Sequence, residues 1–132
     1  EGWRDLRDLA EASPHAASHD PDRALHVERM ARFVGENALD DITVEDVAEA
    51  AGLHPNYAMT LFKRSLGLTI NQSITRHRLD TAQSMLIATE MPVAAIAFDC
   101  GFGSLSRFYD AFKERFHISP KVFRQRITQS LG

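Results

Sequence analysis

A single cysteine, Cys100, stands in the 132-residue chain. No internal disulfide can form, so a reducing compartment, the cytoplasm by default, is the expected home. No run of about 18 or more apolar residues is present to span a bilayer, and no basic-then-apolar segment marks the start as a signal peptide. A soluble protein is expected, with no membrane partner. Nothing alternates apolar and polar residues long enough to read as a strand, so the fold class is all-α. Phosphate-cradling glycine loops, carboxylate pairs and nucleophile–base motifs are also missing, which leaves no enzyme signature and no catalytic residue. Of the six histidines, only His15 and His19 have the i,i+4 spacing of two zinc ligands on a helix. They lie in a Ser/Pro/Asp-containing stretch without cysteine, where exposed loop histidines are the simpler reading. Neither metal nor cofactor is expected.

What is present is unevenly distributed. The net charge of −3 argues by itself against a polyanionic partner. Residues 1–41, however, carry five Arg against ten acids, a net of −5, while residues 42–132 carry ten Lys or Arg against eight acids, a net of +2. The acid stands in front of a mildly basic remainder. The chain starts at Glu1 without an initiator Met, in helix-like sequence, and reads as a piece of a longer protein.

Hydrophobic residues are plentiful, 44% of the total with eight Phe, enough for a sizeable core. Trp3, Leu6, Leu9 and Ala10 recur at helical spacing and end at Ser13-Pro14, which predicts a short amphipathic helix followed by a linker. Asp20-Pro21 then supplies a cap and a first-turn proline, with Val27, Met30, Ala31 and Val34 at i, i+3, i+4 and i+7. A helix over about 21–38 follows.

The next feature is an internal repeat. Thr43 can cap a helix with the stripe Val44, Val47, Ala48 and Ala51, followed by Gly52 and Leu53; the stripe returns as Val93, Ile96, Ala97 and Cys100, then Gly101 and Phe102. Beyond each glycine, Ala58, Leu61, Phe62, Lys63 and Leu66 correspond to Phe108, Ala111, Phe112, Lys113 and Phe116. Each unit is thus a short helix, a glycine-containing turn and a longer helix, the helix-turn-helix arrangement. Between the units, Thr69 caps a predicted connecting helix over about 70–88 carrying Ile70, Ile74, Leu79, Ala82 and Leu86, ended before Pro92.

At about 100° per residue, Ala58, Leu61, Phe62 and Ser65 fall on one side of the first unit's longer helix, opposite Asn56, Thr60 and Lys63. The second unit's outer face carries Ser106, Asp110 and Lys113, flanked by Arg107 and Tyr109. Amide, hydroxyl and cationic groups of this kind form directional bonds with base edges and phosphates. A solvated Glu/Lys ladder would look different. Tandem helix pairs also build protein-binding solenoids, but those stack three or more repeats.

The segments ITVEDVAEAAGLHPNYAMTLFKRSLGLTINQSITRHRLDTAQSML and MPVAAIAFDCGFGSLSRFYDAFKERFHISPKVFR resemble the DNA-binding domain of the AraC/XylS family of transcription regulators over about residues 25–128. The second carries Ile96-Ala97, Gly101-Phe102, Ser104, Phe108, Phe112-Lys113, Ser119-Pro120 and Phe123-Arg124 in the family's pattern. The resemblance implies a double-stranded DNA operator read by two helix-turn-helix units in successive major-groove segments. It implies seven helices, with residues 20–69 as the first subdomain, 70–88 as the connecting helix and 89–132 as the second. Residues 1–19 would lead from a missing upstream domain that binds any effector. The other implied attributes are activation of transcription, RNA polymerase as a partner, and a bacterial cytoplasm, at the nucleoid when bound.

Carried over residue by residue, the implied base readers are Asn56, Met59, Thr60, Ser106, Arg107 and Asp110. The expected phosphate contacts are Lys63, Lys113 and Arg124, with the helix N-termini at Val44 and Val93. Departures from the family pattern are Ala58 where Leu is frequent, His54 where Ser often caps, His117 where the first unit has Gly67, and Asp110 at a position often basic. Arg107 and Asp110, at i and i+3, can touch. A helical protein-interaction module is the competing reading; it predicts outer faces that are apolar or of one charge sign. Cys100, on the buried stripe, is expected to pack rather than react.

Overall fold

Short hydroxyl side chains start most of the helices in this protein. The structure, a computed structural model, describes residues 21–131, and these form seven helices and no strand. They are α1 (Arg23–Asn37), α2 (Val44–Ala50), α3 (Pro55–Leu66), α4 (Ile70–Ala88), α5 (Val93–Asp99), α6 (Leu105–Phe116) and α7 (Pro120–Leu131). The helix expected within residues 1–12, the linker up to Asp20 and the His15/His19 pair lie outside the described residues. No described helix is long and apolar enough to cross a membrane.

Thr43 Oγ1 accepts from the Asp46 amide at 3.1 Å while the Asp46 carboxylate accepts from the Thr43 amide at 2.9 Å, a reciprocal cap that starts α2. Thr69 and Gln72 make the same exchange for α4, at 3.0 and 2.8 Å. Ser104 Oγ accepts from the Arg107 amide at 3.1 Å to open α6, and Ser119 Oγ from the Val122 amide at 3.1 Å to open α7. Such caps contribute about 1 kcal/mol each.

The described chain divides into two units. The first comprises residues up to 37 together with 42–74. In it α1 packs on α2 and α3, and α2 on α3. Met30, Val34, Val47, Ala48, Ala51, Ala58, Leu61 and Phe62 are buried, with Ile70 and Ile74 from the start of α4. Ser65, expected on the inner side, is exposed near the end of α3.

The second unit comprises residues 38–41 and 75 onward. Leu79, Ala82, Leu86, Ile96, Ala97, Cys100, Phe102, Phe108 and Phe112 form its core. Phe112 is the hub: its ring lies 5.6 Å from Phe108, 4.6 Å from Phe116 and 5.7 Å from Phe123, in the tilted and edge-on arrangements that aromatic quadrupoles favour. Cys100 is fully buried, 3.6 Å from the Met85 sulfur. Burial, and then the charge of Asp99, pushes its thiol up to about 11, so it packs as a neutral side chain.

The repeat is visible in the turns as well. Gly52 has φ 69 and donates to Glu49 O at 2.9 Å, with Leu53 donating to Ala48 O at 2.9 Å. Gly101 has φ 94 and donates to Phe98 O at 3.1 Å, with Phe102 donating to Ala97 O at 3.0 Å. Both are the paired C-terminal closure in which a left-handed residue turns the chain out of a helix. The longer helices close alike, through Gly67 at φ 81 and His117 at φ 70, whose amides donate to Lys63 O and Lys113 O at 2.9 and 2.7 Å. A Cβ in that region meets the following carbonyl. Replacing His117 with Gly is therefore expected to stabilise the protein by about 0.5–1 kcal/mol, the strain relieved less the chain entropy that glycine adds. Chemical denaturation of the His117→Gly variant checks this; unchanged or lowered stability would show that the His117 side chain makes contacts that outweigh the strain.

Candidate nucleic-acid interface

The two longer helices, α3 and α6, turn their apolar sides inward and leave a polar side outward. On α3, Ala58, Leu61 and Phe62 are fully buried, while Asn56, Met59, Thr60 and Lys63 are exposed. On α6, Phe108 and Phe112 are fully buried, while Ser106, Arg107, Asp110 and Lys113 are exposed. All eight residues expected to face DNA from these helices are accessible. Exposure alone does not give them roles; their bonding within the protein narrows the chemistry each can offer.

Thr60 Oγ1 donates to Asn56 O at 3.1 Å, which spends the hydroxyl proton and leaves acceptor lone pairs and a methyl group outward. Met59 is 42% exposed even though Ala58 leaves volume beside it; Tyr57 is the neighbour that turns half inward. Lys63 Nζ donates to Gly67 O at 3.2 Å, tying it back over the C-terminal end of its own helix. Lys113 makes no such bond. Arg107 and Asp110 form no ion pair with each other among the described residues, unlike the contact their spacing allows. Each keeps its full hydrogen-bonding capacity for an outside partner.

The helix N-termini differ from one another. At Val44 the first turn of α2 carries Glu45 and Asp46, and the Asp46 carboxylate already sits on the Thr43 amide. Two carboxylates there repel a phosphate, which weighs against the expected anion contact at Val44. At Val93 the N-cap of α5 is Pro92, with no side-chain cap and no acid in the first turn, and its first amides keep the positive end of the helix dipole uncovered.

Arg124 also departs from expectation. It is half-buried on α7, and its guanidinium donates to Leu86 O at 3.3 Å, to Thr89 O at 3.1 Å and to Met91 O. Leu86 O belongs to the last turn of α4, which carries no basic residue of its own, and Thr89 O and Met91 O to the segment just after it. With three bonds to main-chain carbonyls, the guanidinium acts as a clamp within the protein and has little left to offer a phosphate. Sequence reading missed its counterpart, Arg78, whose Nε donates to Ala38 O at 2.5 Å and Nη2 to Asp40 O at 2.8 Å. Burial lowers the Arg78 pKa, against the opposing charge of Asp41. No local pattern marks such a residue, because its partners are distant in the chain.

A model of the helix-turn-helix domain family matches residues 47–126, well over half of the chain. The melibiose operon regulatory protein of Escherichia coli K12 is 34% identical over 128 residues, which are 97% of this chain and 42% of that protein. The chain belongs to the AraC-type helix-turn-helix family. It is a DNA-binding domain of the kind found in transcription regulators, and it spans less than half the length of that regulatory protein. A probable AraC family transcriptional regulator from Rhodopseudomonas palustris CGA009 superposes with a TM-score of 0.72 at 28% identity, over 77% of this chain and 96% of that one. The DNA-binding domain of the global transcriptional factor AdpA, solved in complex with a target DNA, reaches a TM-score of 0.72 over 76% of this chain and 90% of that one. At 22% identity that likeness is one of fold.

Proposed function

We propose that this AraC-type domain regulates transcription by placing α3 and α6 in two major-groove segments of one operator. The observation that carries this reading is the pair of repeat-related helices whose inner faces are sealed by Leu and Phe and whose outer faces carry short polar and cationic groups. Asn56 and Thr60 read bases from α3, with Met59 available to a thymine methyl. Ser106, Arg107 and Asp110 read from α6. Lys113, Lys63 on giving up its bond to Gly67 O, and the first amides of α5 at Val93, which no side chain caps, hold phosphates. Arg107, unpaired within the protein, presents its fork to guanine O6 and N7, and Asp110 accepts from cytosine N4.

The role is regulatory rather than enzymatic, it is exercised in the bacterial cytoplasm, and it acts on RNA polymerase as an activator. Any effector binds a domain outside this chain. The similarity to the melibiose operon regulatory protein supports the regulatory role.

The test begins with selection of bound duplexes from random DNA, followed by fluorescence-anisotropy titration of single-substitution operators. Arg107→Ala is expected to cost about 1–3 kcal/mol at a single base step. Asp110→Ala relaxes preference at that step or its neighbour and raises affinity for unrelated duplex, because a carboxylate that repels phosphates has gone. A loss for Arg107→Ala spread evenly over all operators would make it a phosphate contact, and salt-insensitive binding by the wild-type protein would remove the DNA-reading role altogether.

A further inference from the structure

His54 caps a reading helix and, through the far side of its ring, keeps a directional donor that reaches well beyond the helix start. Its Nδ1 accepts from the Asn56 amide at 3.2 Å, so the Nδ1 lone pair is in use and the ring proton resides on Nε2. The side chain is exposed, and Nε2 has no partner among the described residues. The cap thereby fixes the tautomer and turns an N–H outward beside Asn56. At the equivalent place in the second unit, Ser104 caps α6 with its hydroxyl oxygen and reaches less far. We propose that His54 is a further DNA contact, its Nε2–H donating to a phosphate oxygen at the edge of the groove that α3 enters.

The inference rests on the reading of α3 as a groove-entering helix. Residues that open such a helix come closest to the DNA, and those just before it meet the sugar-phosphate wall rather than the base edges. Phosphate is the partner the geometry favours for a second reason. The donor is neutral and single, without the two-pronged pattern that distinguishes one base pair from another.

His54→Ser is the informative variant. Serine caps a helix at least as well as histidine, so folding and stability are retained while the long-reaching donor is lost. With the duplex recovered by selection from random DNA, the substitution is expected to weaken binding about three- to tenfold, equally across single-base operator variants. The dependence of affinity on salt should keep its slope, because no cation has been removed and no counterion release is lost. Neutral methylphosphonate placed at successive backbone positions should weaken the wild-type protein at one phosphate where His54→Ser shows no further loss. Unchanged affinity, a loss confined to one base pair, or a methylphosphonate scan identical for the two proteins would each overturn the proposal. Asn56→Ala, titrated in parallel, separates the two levels. If it loses a base preference while His54→Ser binds normally, the reading of α3 stands and the His54 contact falls; if neither changes, both fall.

Discussion

Gly101→Ala is expected to destabilise the second unit by about 3–5 kcal/mol, whereas the repeat-equivalent Gly52→Ala costs about 1 kcal/mol. Both glycines have positive φ and close their turns with the same two hydrogen bonds, so the strain of placing a Cβ in the left-handed region is common to the pair. The difference lies in what surrounds them. A Cβ at Gly52 meets nothing within 4 Å, but one at Gly101 lies 2.8 Å from Leu39 O and 2.9 Å from Arg78 Nε. A backbone carbonyl has no rotamer in which to retreat. The guanidinium cannot move without surrendering its bonds to Ala38 O and Asp40 O, so one methyl group breaks a packed turn and a clamp together. Denaturant unfolding followed by far-UV circular dichroism measures both variants. Equal, small losses would show that the loop at residues 38–41 yields freely and that the close approach is not a constraint.

That comparison also marks how far the sequence could be read. The repeat, the stripes and the capping residues are local signals, and they were enough to place six of the seven described helices, both glycine turns and the buried aromatic side of α6, while the count of seven came from the family resemblance. The caps Thr43 and Thr69 were legible because a cap is encoded within four residues. The outer faces of α3 and α6 were legible for the same reason: helical periodicity puts Asn56 opposite Ala58 and Asp110 opposite Phe108. Long-range contacts were not. Gly52 and Gly101 are equivalents by alignment and differ only through Leu39 and Arg78. His54, which looked like a weakened cap, caps through a ring nitrogen whose geometry no spacing rule conveys. At Val44 an N-terminus suits an anion less once a carboxylate of its own is bonded there, as Asp46 is to the Thr43 amide with Glu45 beside it.

Arg124 was expected to hold a phosphate and is bonded instead to three carbonyls, and its replacement should separate the two roles by sign. As a clamp, Arg124→Ala leaves Leu86 O, Thr89 O and Met91 O without their charged donor at the end of a 19-residue helix. Carbonyls at a helix C-terminus carry the negative end of the dipole and have no intrahelical partner. Bonds from a charged donor contribute more than neutral ones, and these three share one guanidinium and are not additive, so the expected loss is about 2–4 kcal/mol of stability. Affinity for DNA per folded molecule, and its salt slope, should stay as they were. Arg124→Lys should recover little, because an ammonium is a point charge that cannot span three carbonyls from one planar fork. A phosphate contact predicts the reverse pattern: stability nearly unchanged, affinity lowered on every sequence alike, and a salt slope reduced by about one. Thermal melts and salt-dependent anisotropy on the same two variants therefore decide between them, and an intact melting temperature with a flattened slope would return Arg124 to the DNA surface.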